Sequence, residues 1–453
     1  MKGGEQMNQT SNEREWYSQQ FADFEKRLNG QSQQPLHQLR KKAIAWFKEN
    51  GFPTTRQEEW RFTNVAPISS KAFIPATQSG TVTLESLQPY LIDDQFIRLV
   101  FVNGLYSDEL SNLEGIDEKV TVSSLKAALQ QNQNLLNKNL AAHAPIDENG
   151  FVALNTAFMN EGAFVHLKKN MTSERPIHLL FVATDKAQDH VVLPRNLFLV
   201  EGNAQATIIE SFVSLTTKNY FTNSVTEIVV DENAVLDHYK IQQESTAAFH
   251  TSLIQINQKR SSVYYSHNYS FGGAIARNDL NAVLDGEDIE CTLNGLYLAA
   301  GKQLIDNHSV IEHTRPHCNS HELYKGILDD QARAVFSGKI HVHPDAQKTD
   351  AIQSNQNLIL SEEAIVDTKP QLEIYADDVR CTHGGTVGQM DQQGIFYLRA
   401  RGISAENARN MMIQAFAGEV AQSIRNTAMR EYVETLVLDR LQNGHLLSKV
   451  GKS

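Results

Sequence analysis

Cysteine is scarce in this sequence. Among 453 residues there are three cysteines, Cys291, Cys318 and Cys381, which lie 27 and 63 positions apart. They are too few and too scattered for a disulfide framework, and this pattern favours a reducing compartment. The sequence also has no Cys-x-x-Cys pair, the spacing that often introduces a permanent zinc or iron–sulfur site. It therefore gives no sign of a complete cysteine-ligated metal centre.

Positive charge is also in short supply. Lysine and arginine total 41 against 53 acidic residues, so the formal net charge is −12, and the acidic residues are dispersed along the chain. A nucleic-acid partner would require a basic face. No run approaches the roughly 20 apolar residues that cross a bilayer, and the N-terminus resembles neither a secretory signal nor a transit peptide. We therefore predict a cytoplasmic protein with no nucleic-acid or membrane partner.

The common enzyme motifs are missing as well. The sequence has no phosphate-binding Gly-x-x-x-x-Gly-Lys-Ser/Thr loop, no Gly-x-Ser-x-Gly nucleophile elbow and no dinucleotide-binding fingerprint. It also has no recognisable flavin motif. We expect this chain to have no ATPase activity, no catalytic residue and no permanently bound cofactor.

Both ends of the chain have helical patterns. Apolar residues over 34–50 follow near-helical spacing, and Gly51-Phe52-Pro53 ends this segment. A strand-like run at 97–102 and a helix near 123–130 follow. Ser404 is a candidate N-cap, and two apolar stripes come after it. We divide the chain into an N-terminal helical domain (1–90), a mixed α/β segment (91–175), a β core (176–401) and a C-terminal helical segment (402–453).

Short β-type runs with few helices between them fill the β core. Over 336–343, apolar or small residues alternate with polar ones, which is typical of a strand with two different faces. Acidic or Gly/Asn-containing turns separate the runs at irregular intervals, as in Val230-Asp-Glu-Asn-Ala234 and Leu328-Asp-Asp-Gln-Ala332. This pattern suits a coiled parallel β-helix (a β-solenoid) or a β-sandwich. We favour the solenoid.

The most informative segment is 372–388. Cys381 and His383 stand two residues apart where an apolar β-type run ends, immediately before a predicted Gly-rich turn that begins at Gly384-Gly385. Alternate residues of a strand share one face at a rise of about 6.6 Å, so the thiol and the imidazole should project together. Both groups are metal ligands. Two donors make half of a typical four-ligand site, and we expect another chain to supply the rest.

A second polar cluster at 308–321 contains Cys318 and the histidines His308, His313, His317 and His321. A stand-alone metalloprotein that uses the histidines of 308–343 is a rival hypothesis. However, the cluster lacks the close ligand pairs of a zinc finger, and Pro316 disfavours a helical His-x-x-x-His motif. We favour a solvated or hydrogen-bonded face and assign no role to His308, His317 or His321. Cys291 is interpreted as a small buried hydrophobe, and the role of Cys318 stays open.

Several different short motifs lie along the chain, most densely over 310–402. They occupy 56–63, 154–158, 313–320, 324–326, 333–338, 348–350, 355–360, 366–384 and 396–402. Together they resemble the SufB/SufD family of iron–sulfur cluster assembly proteins. The ending Cys-Thr-His-Gly-Gly-Thr-Val-Gly at 381–388 is similar to the SufD branch rather than to SufB.

This resemblance implies a right-handed parallel β-helix flanked by N- and C-terminal helices, in a complex with SufB and the ATPase SufC. It implies a non-catalytic scaffold subunit whose His383 and Cys381 contribute, at the SufB interface, to a transient iron–sulfur cluster shared with SufB. A part in iron acquisition and a homodimer of the isolated chain stay open. The C-terminal helices are the implied SufC dock, with the residues Ser404, Met411, Met412, Ala415 and Phe416. A β-helical carbohydrate lyase or hydrolase is a rival hypothesis.

Overall fold

The computed structural model describes residues 4–28 and 35–442, so the predicted segments 1–90 and 402–453 lie partly outside the described residues. The helices are α1 (Gly4–Arg27), α2 (Pro35–Asn50), α3 (Ala66–Ser69), α4 (Leu84–Leu87), α5 (Leu125–Gln131), α6 (Gln133–Asn139), α7 (Gly150–Phe158), α8 (Gln392–Arg399), α9 (Ala405–Gln422) and α10 (Thr427–Gln442). None of these helices is both long enough and apolar enough to cross a membrane.

The strands of the first half of the chain are β1 (Ile74–Pro75), β2 (Ile97–Val102), β3 (Leu105–Asn112), β4 (Val120–Ser124), β5 (Ala163–Leu167), β6 (Ile177–Ala183), β7 (His190–Val192), β8 (Arg195–Val200), β9 (Gln205–Ser214) and β10 (Phe221–Val230). Those of the second half are β11 (Val235–Gln243), β12 (Phe249–Gln258), β13 (Val263–Ser270), β14 (Ile275–Leu284), β15 (Glu290–Ala299), β16 (Leu304–His313), β17 (Asn319–Leu328), β18 (Arg333–Val342), β19 (Asp350–Ile359), β20 (Ile365–Ile374) and β21 (Arg380–Gln389).

From β8 to β21, consecutive strands alternate between two parallel sheets. The even sheet follows the order β20-β18-β16-β14-β12-β10-β8, and the odd sheet follows β21-β19-β17-β15-β13-β11-β9. Each strand therefore pairs with the strand two positions away in sequence, which is a β-solenoid of about 8 turns. A sandwich would pair its strands antiparallel, so the predicted solenoid with helices at both ends is confirmed. Its right-handed winding stays a prediction.

The turns explain why the sequence repeat looks irregular. Asn203, Asn233 and Asp288 have left-handed backbone conformations with φ near +58°, and each lies in a turn that leads from the even sheet to the odd sheet. Short polar Asn and Asp side chains tolerate this conformation better than most residues do. Asp330 does the same in a turn leading back. The sequence motifs mark turns on both sides of the solenoid, so their spacing mixes two series.

The two ends of the solenoid differ. At the first end, β3 pairs antiparallel with β2, and β4 pairs antiparallel with β5, so each sheet closes on a reversed strand. The helices α9 and α10 pack against the outer face of the odd sheet, where Val420 and Val433 share a cluster with Ile241 and Leu296. At the far end, the outer edges of β20 and β21 pair with no other described strand. This last coil carries the predicted metal ligands.

Candidate metal-ligand site at the end of the solenoid

Cys381 and His383 lie on β21, the outermost strand of the odd sheet. Cys381 pairs in register with Ala351 of β19, and His383 pairs with Gln353. Paired residues in a parallel ladder project to the same face, and Ala351 and Gln353 are both buried. The two ligand side chains therefore belong to the inward face of the solenoid. They lie on its last coil, where no further described strand pairs with β21.

The expected position of this pair within the strand was wrong. Cys381 and His383 follow the first residue of β21, Arg380, rather than ending a strand, and the Gly-rich segment after them is not a turn. Gly384 to Gly388 continue the ladder with β19 in register. The turn is instead the acidic segment 375–379 between β20 and β21. A Cβ on Gly384 would meet no described atom within 4 Å, so this backbone is open to close approach.

The thiol and the imidazole differ in exposure. Cys381 is partly buried and packs against a small cluster that includes Ala351 and Ala376, whereas His383 is exposed. Burial, with the nearby Asp350 carboxylate, raises the pKa of the Cys381 thiol. A thiolate is the metal-binding form, and the surroundings of Cys381 within this chain do not favour it. Iron or charge from a partner would have to stabilise the thiolate.

Cys381 and His383 supply one sulfur and one nitrogen. Within residues 4–28 and 35–442, no group of three or more His, Cys, Asp or Glu side chains is arranged to hold a metal ion. Four-ligand sites are usual for zinc and for iron–sulfur clusters. Two donors are therefore half of the ligand set that such a site uses.

Exposed apolar side chains also lie on the last coil. Tyr375 is 61% exposed, Ile365 53% and Val387 48%, and Ile374 is also exposed. Large exposed apolar side chains that are grouped together commonly mark a protein interface. The sequence pattern did not single out these residues, although each lies on β20, on β21 or in the turn between them.

The 308–321 histidines are dispersed rather than gathered around one point. His308 is ion-paired with Asp306 at 2.9 Å, and Nε2 of His313 lies 2.9 Å from the Ser320 hydroxyl inside the solenoid. His317 occupies a left-handed turn position, and His321 is exposed on β17. These contacts fit the hydrogen-bonded interpretation better than a metal site.

The other two cysteines face the interior. Cys291 lies in the main core cluster, as expected of a small buried hydrophobe, and burial raises the pKa of its thiol far above the usual value. Cys318 is buried in the same cluster, and burial raises the pKa of its thiol to about 11. Neither thiol is available as a thiolate near neutral pH.

The predicted docking residues divide into two groups. The Ser404 side chain accepts a hydrogen bond from the Asn407 N–H, which confirms it as the N-cap of α9. Met411 and Ala415 are exposed, four residues apart and so on one face of α9. Met412 and Phe416 are partly buried instead, and Phe416 packs against the cluster that joins α9 to the solenoid.

The buried polar side chains beside the ligand pair were not predicted from the sequence. Glu322, Gln353 and Asn355 are inward-facing and almost completely buried. The available signal was the alternation within β19, where Gln353, Asn355 and Asn357 occupy the same face as buried Ala351. Hydropathy alone assigns such residues to the outer face of a strand.

The fold defines a β-solenoid protein with helices at both ends, and its last strand carries Cys381 and His383. The family profile described as "SUF system FeS cluster assembly, SufBD core domain" matches residues 181–416, and "SufBD protein N-terminal region" matches residues 11–179. The chain belongs to the SufB/SufD family of iron–sulfur cluster assembly proteins.

Individual relatives support this assignment. The chain is 32% identical over 434 residues to the iron–sulfur cluster assembly protein SufD of Escherichia coli, covering 95% of this chain and 97% of that protein. It is 36% identical over 381 residues to the iron–sulfur cluster assembly SufBD family protein slr0076 of Synechocystis, covering 82% and 84%. The chloroplastic protein ABCI7 of Arabidopsis thaliana is 28% identical over 406 residues, covering 88% and 84%. The predicted resemblance to the SufD branch is confirmed.

Proposed function

We propose that this chain is a SufD-type, non-catalytic subunit of a cytoplasmic scaffold on which iron–sulfur clusters are built. The observation that carries the proposal is the position of Cys381 and His383 on the terminal strand, at an open edge with two donors in place. A SufB-like subunit supplies the remaining ligands across that edge. The cluster is transient cargo, shared between the two subunits. A part in iron acquisition stays a prediction from the family.

The backbone of β21 supports an edge-to-edge partner. The Arg380 N–H donates to the carbonyl of Thr349, the residue immediately before β19. Because alternate residues of a parallel strand bond the same neighbour, the N–H groups of Cys381, His383, Gly385 and Val387 face the open side. An added strand would lie about 4.8 Å away. Its side chains would then neighbour the thiol and the imidazole directly.

The free edge of β20 is less suited to such pairing. The Tyr375 N–H donates to the Val342 carbonyl of β18, so by the same alternation the backbone of Pro370 faces outward. Proline has no N–H to donate, and it is a common protection of edge strands. We therefore assign the partner strand to β21. A homodimer of the isolated chain would use the same exposed apolar coil.

The C-terminal helices are proposed as the dock for a SufC-like ATPase. Met411 and Ala415 offer an exposed apolar strip on α9, while the opposite side of α9 packs on the odd sheet. ATP binding by the partner would shift α9 and α10, and because these helices pack on the odd sheet, the movement would be transmitted to the solenoid. This is conformational coupling, with no chemistry in this chain.

Anaerobic reconstitution with the SufB-like and SufC-like partners tests the proposal. His383→Ala should lower the iron and sulfide retained by the complex severalfold without changing subunit stoichiometry. The matched control is His321→Ala, which removes another exposed histidine of the odd sheet, two strands away and on the outer face. Equal iron and sulfide in both variants and the unmodified protein would contradict the assignment.

A further inference from the structure

Glu322, Gln353 and His383 form one column inside the solenoid. Glu322 of β17 pairs in register with Gln353 of β19, which pairs in register with His383 of β21. Neighbouring strands lie about 4.8 Å apart, so their in-register side chains stack on the same face. The imidazole at the open end therefore stands directly above a buried amide, and that amide stands above a buried carboxyl group.

The orientation of the Gln353 amide follows from its contact with Glu322. Gln353 Nε2 donates to Glu322 Oε2 at 2.7 Å, and both side chains are almost fully buried. When Glu322 is ionised, its carboxylate only accepts hydrogen bonds, so in that state the NH₂ group of the amide faces Glu322. The remaining amide atom, Gln353 Oε1, is buried and has no hydrogen-bond partner anywhere in the described parts of the chain. It is an acceptor that still lacks a donor.

Gly338 leaves the space that the amide occupies. It lies on β18, and a methyl group in place of its hydrogen would overlap both Nε2 and Cδ of Gln353. The amide is thus held between a carboxyl group on one strand and bare backbone on the other. A buried acceptor without a donor costs about 1–3 kcal/mol. A hydrogen bond from His383, directly above Gln353 Oε1, would remove this cost.

We propose that Gln353 is a positioning residue for His383. Gln353 Oε1 would accept the N–H of one imidazole nitrogen once the exposed His383 ring turns towards it. That bond would fix the ring tautomer and direct the other nitrogen, with its lone pair, towards the open end of the solenoid. A neutral imidazole has one donor and one acceptor nitrogen, and the bond at one nitrogen determines which is free for a metal. Glu322 fixes the amide in turn. The role as iron ligand rests on the proposed function, but the tautomer belongs to the isolated chain.

Nitrogen-15 NMR of the isolated, histidine-labelled chain tests this directly. Burial raises the pKa of Glu322 to about 7, so spectra are recorded at pH 8, where the carboxylate form predominates. The His383 signals are assigned by their loss in His383→Ala. The proposal predicts one dominant tautomer in the unmodified protein. Averaged nitrogen shifts from two comparably populated tautomers in the unmodified protein would overturn the proposal, and this result needs no substitution at Glu322 or Gln353.

Variants then identify the group responsible. Gln353→Met removes the acceptor at similar volume and should shift His383 towards a tautomer mixture, and Gly338→Ala should do the same by displacing the amide. The cobalt(II) dissociation constant of the isolated chain should rise about tenfold in both, the lower end of the range for outer-shell partners. A folded Gln353→Met or Gly338→Ala variant with unchanged His383 shifts would overturn the proposal.

This outcome is separable from the assembly experiment. A fixed tautomer that responds to Gln353→Met, with normal cluster formation in His383→Ala, would sustain the hydrogen bond and contradict the ligand role. A freely exchanging tautomer, with cluster loss in His383→Ala, would contradict the hydrogen bond and sustain the ligand role.

Discussion

The ammonium of Lys325 lies 4.4 Å from the ring centroid of Phe416 and donates a hydrogen bond to the Phe416 carbonyl at 3.2 Å. Lys325 projects from the outer face of β17, is almost completely buried, and is also ion-paired with Glu419. A buried lysine requires such partners, and a cation–π contact is stronger when it is desolvated. Phe416 therefore helps to attach α9 to the solenoid, so its side chain has a structural role besides any contact with a partner protein.

This relationship separates two of the predicted docking residues. Phe416→Ala should lower the free energy of unfolding by about 2 kcal/mol, because it removes a partly buried ring and exposes the Lys325 contact. Met411→Ala, at an exposed position of the same helix, should change it by less than about 0.5 kcal/mol. Urea denaturation measures both. Equal effects would contradict the packing assigned to Phe416.

Met411 also provides a test of the dock itself. Met411→Glu should leave the isolated chain as stable as before and weaken binding to the SufC-like ATPase about tenfold or more, because a charge would enter an apolar contact. Isothermal titration with the purified ATPase subunit measures the affinity. The control is Glu434→Gln on α10, an exposed position away from the Met411 strip. Unchanged affinity in Met411→Glu would move the dock elsewhere.

Arg277 connects the N-terminal segment to the solenoid. Its guanidinium lies 3.6 Å from the ring centroid of Trp60 and is ion-paired with Asp279 at 2.7 Å and with Asp306 at 2.8 Å. Arg277→Leu should destabilise the fold by roughly 3 kcal/mol, because it removes one of the two cationic partners of the buried Asp306 carboxylate and leaves only His308. The double variant Arg277→Leu, Asp306→Leu should recover part of the loss. If the double variant is no more stable than Arg277→Leu, the loss of stability does not come from the Asp306 charge that has lost this partner.

The interior histidines should make the fold sensitive to mild acid. Burial lowers the pKa of His313 to about 4, whereas an unfolded chain has an ordinary value near 6.5. Between pH 6.5 and 4 the unfolded state therefore binds a proton that the folded state refuses, and stability falls as pH falls. His313→Gln should reduce the slope of unfolding free energy against pH by about 1 kcal/mol per unit in this window. Parallel curves would contradict the assignment.

The β21 edge can be tested by proline substitution. The N–H of Val387 faces the open side of the strand, while that of Thr386 faces β19 by the alternation from Arg380. Val387→Pro should keep the internal ladder and abolish pairing with a SufB-like strand. Thr386→Pro should instead destabilise the isolated chain. Size-exclusion analysis of the binary complex measures the first effect, and retained assembly in Val387→Pro would contradict edge pairing.

The sequence predicted the solenoid because alternation and turn chemistry are local. The faces assigned to 336–343 agree with the structure, where Phe336, Ile340 and Val342 are buried. The helix at α2 and the strand at β2 also begin and end close to their predicted limits. These features depend on neighbours within a few residues, and a local pattern contains that information.

The site was predictable only in part. The spacing of Cys381 and His383 identified the pair, but their place at the start of β21 depends on which turn closes the coil. The Glu322–Gln353 contact joins strands 31 residues apart, and no local pattern reports such a distance. The buried polar column was therefore invisible to hydropathy, since inward-facing glutamine and glutamate look like surface residues in sequence.

The most direct test of the account is the hyperfine spectrum of the assembled cluster. The three-subunit complex is reconstituted with nitrogen-15 histidine in this chain alone, and its cluster is reduced to a paramagnetic state. We predict a strong coupling to nitrogen-15 that disappears in His383→Ala and persists in His321→Ala. A spectrum without that coupling, or one that His383→Ala leaves unchanged, would contradict the claim that this chain contributes a ligand across its open edge.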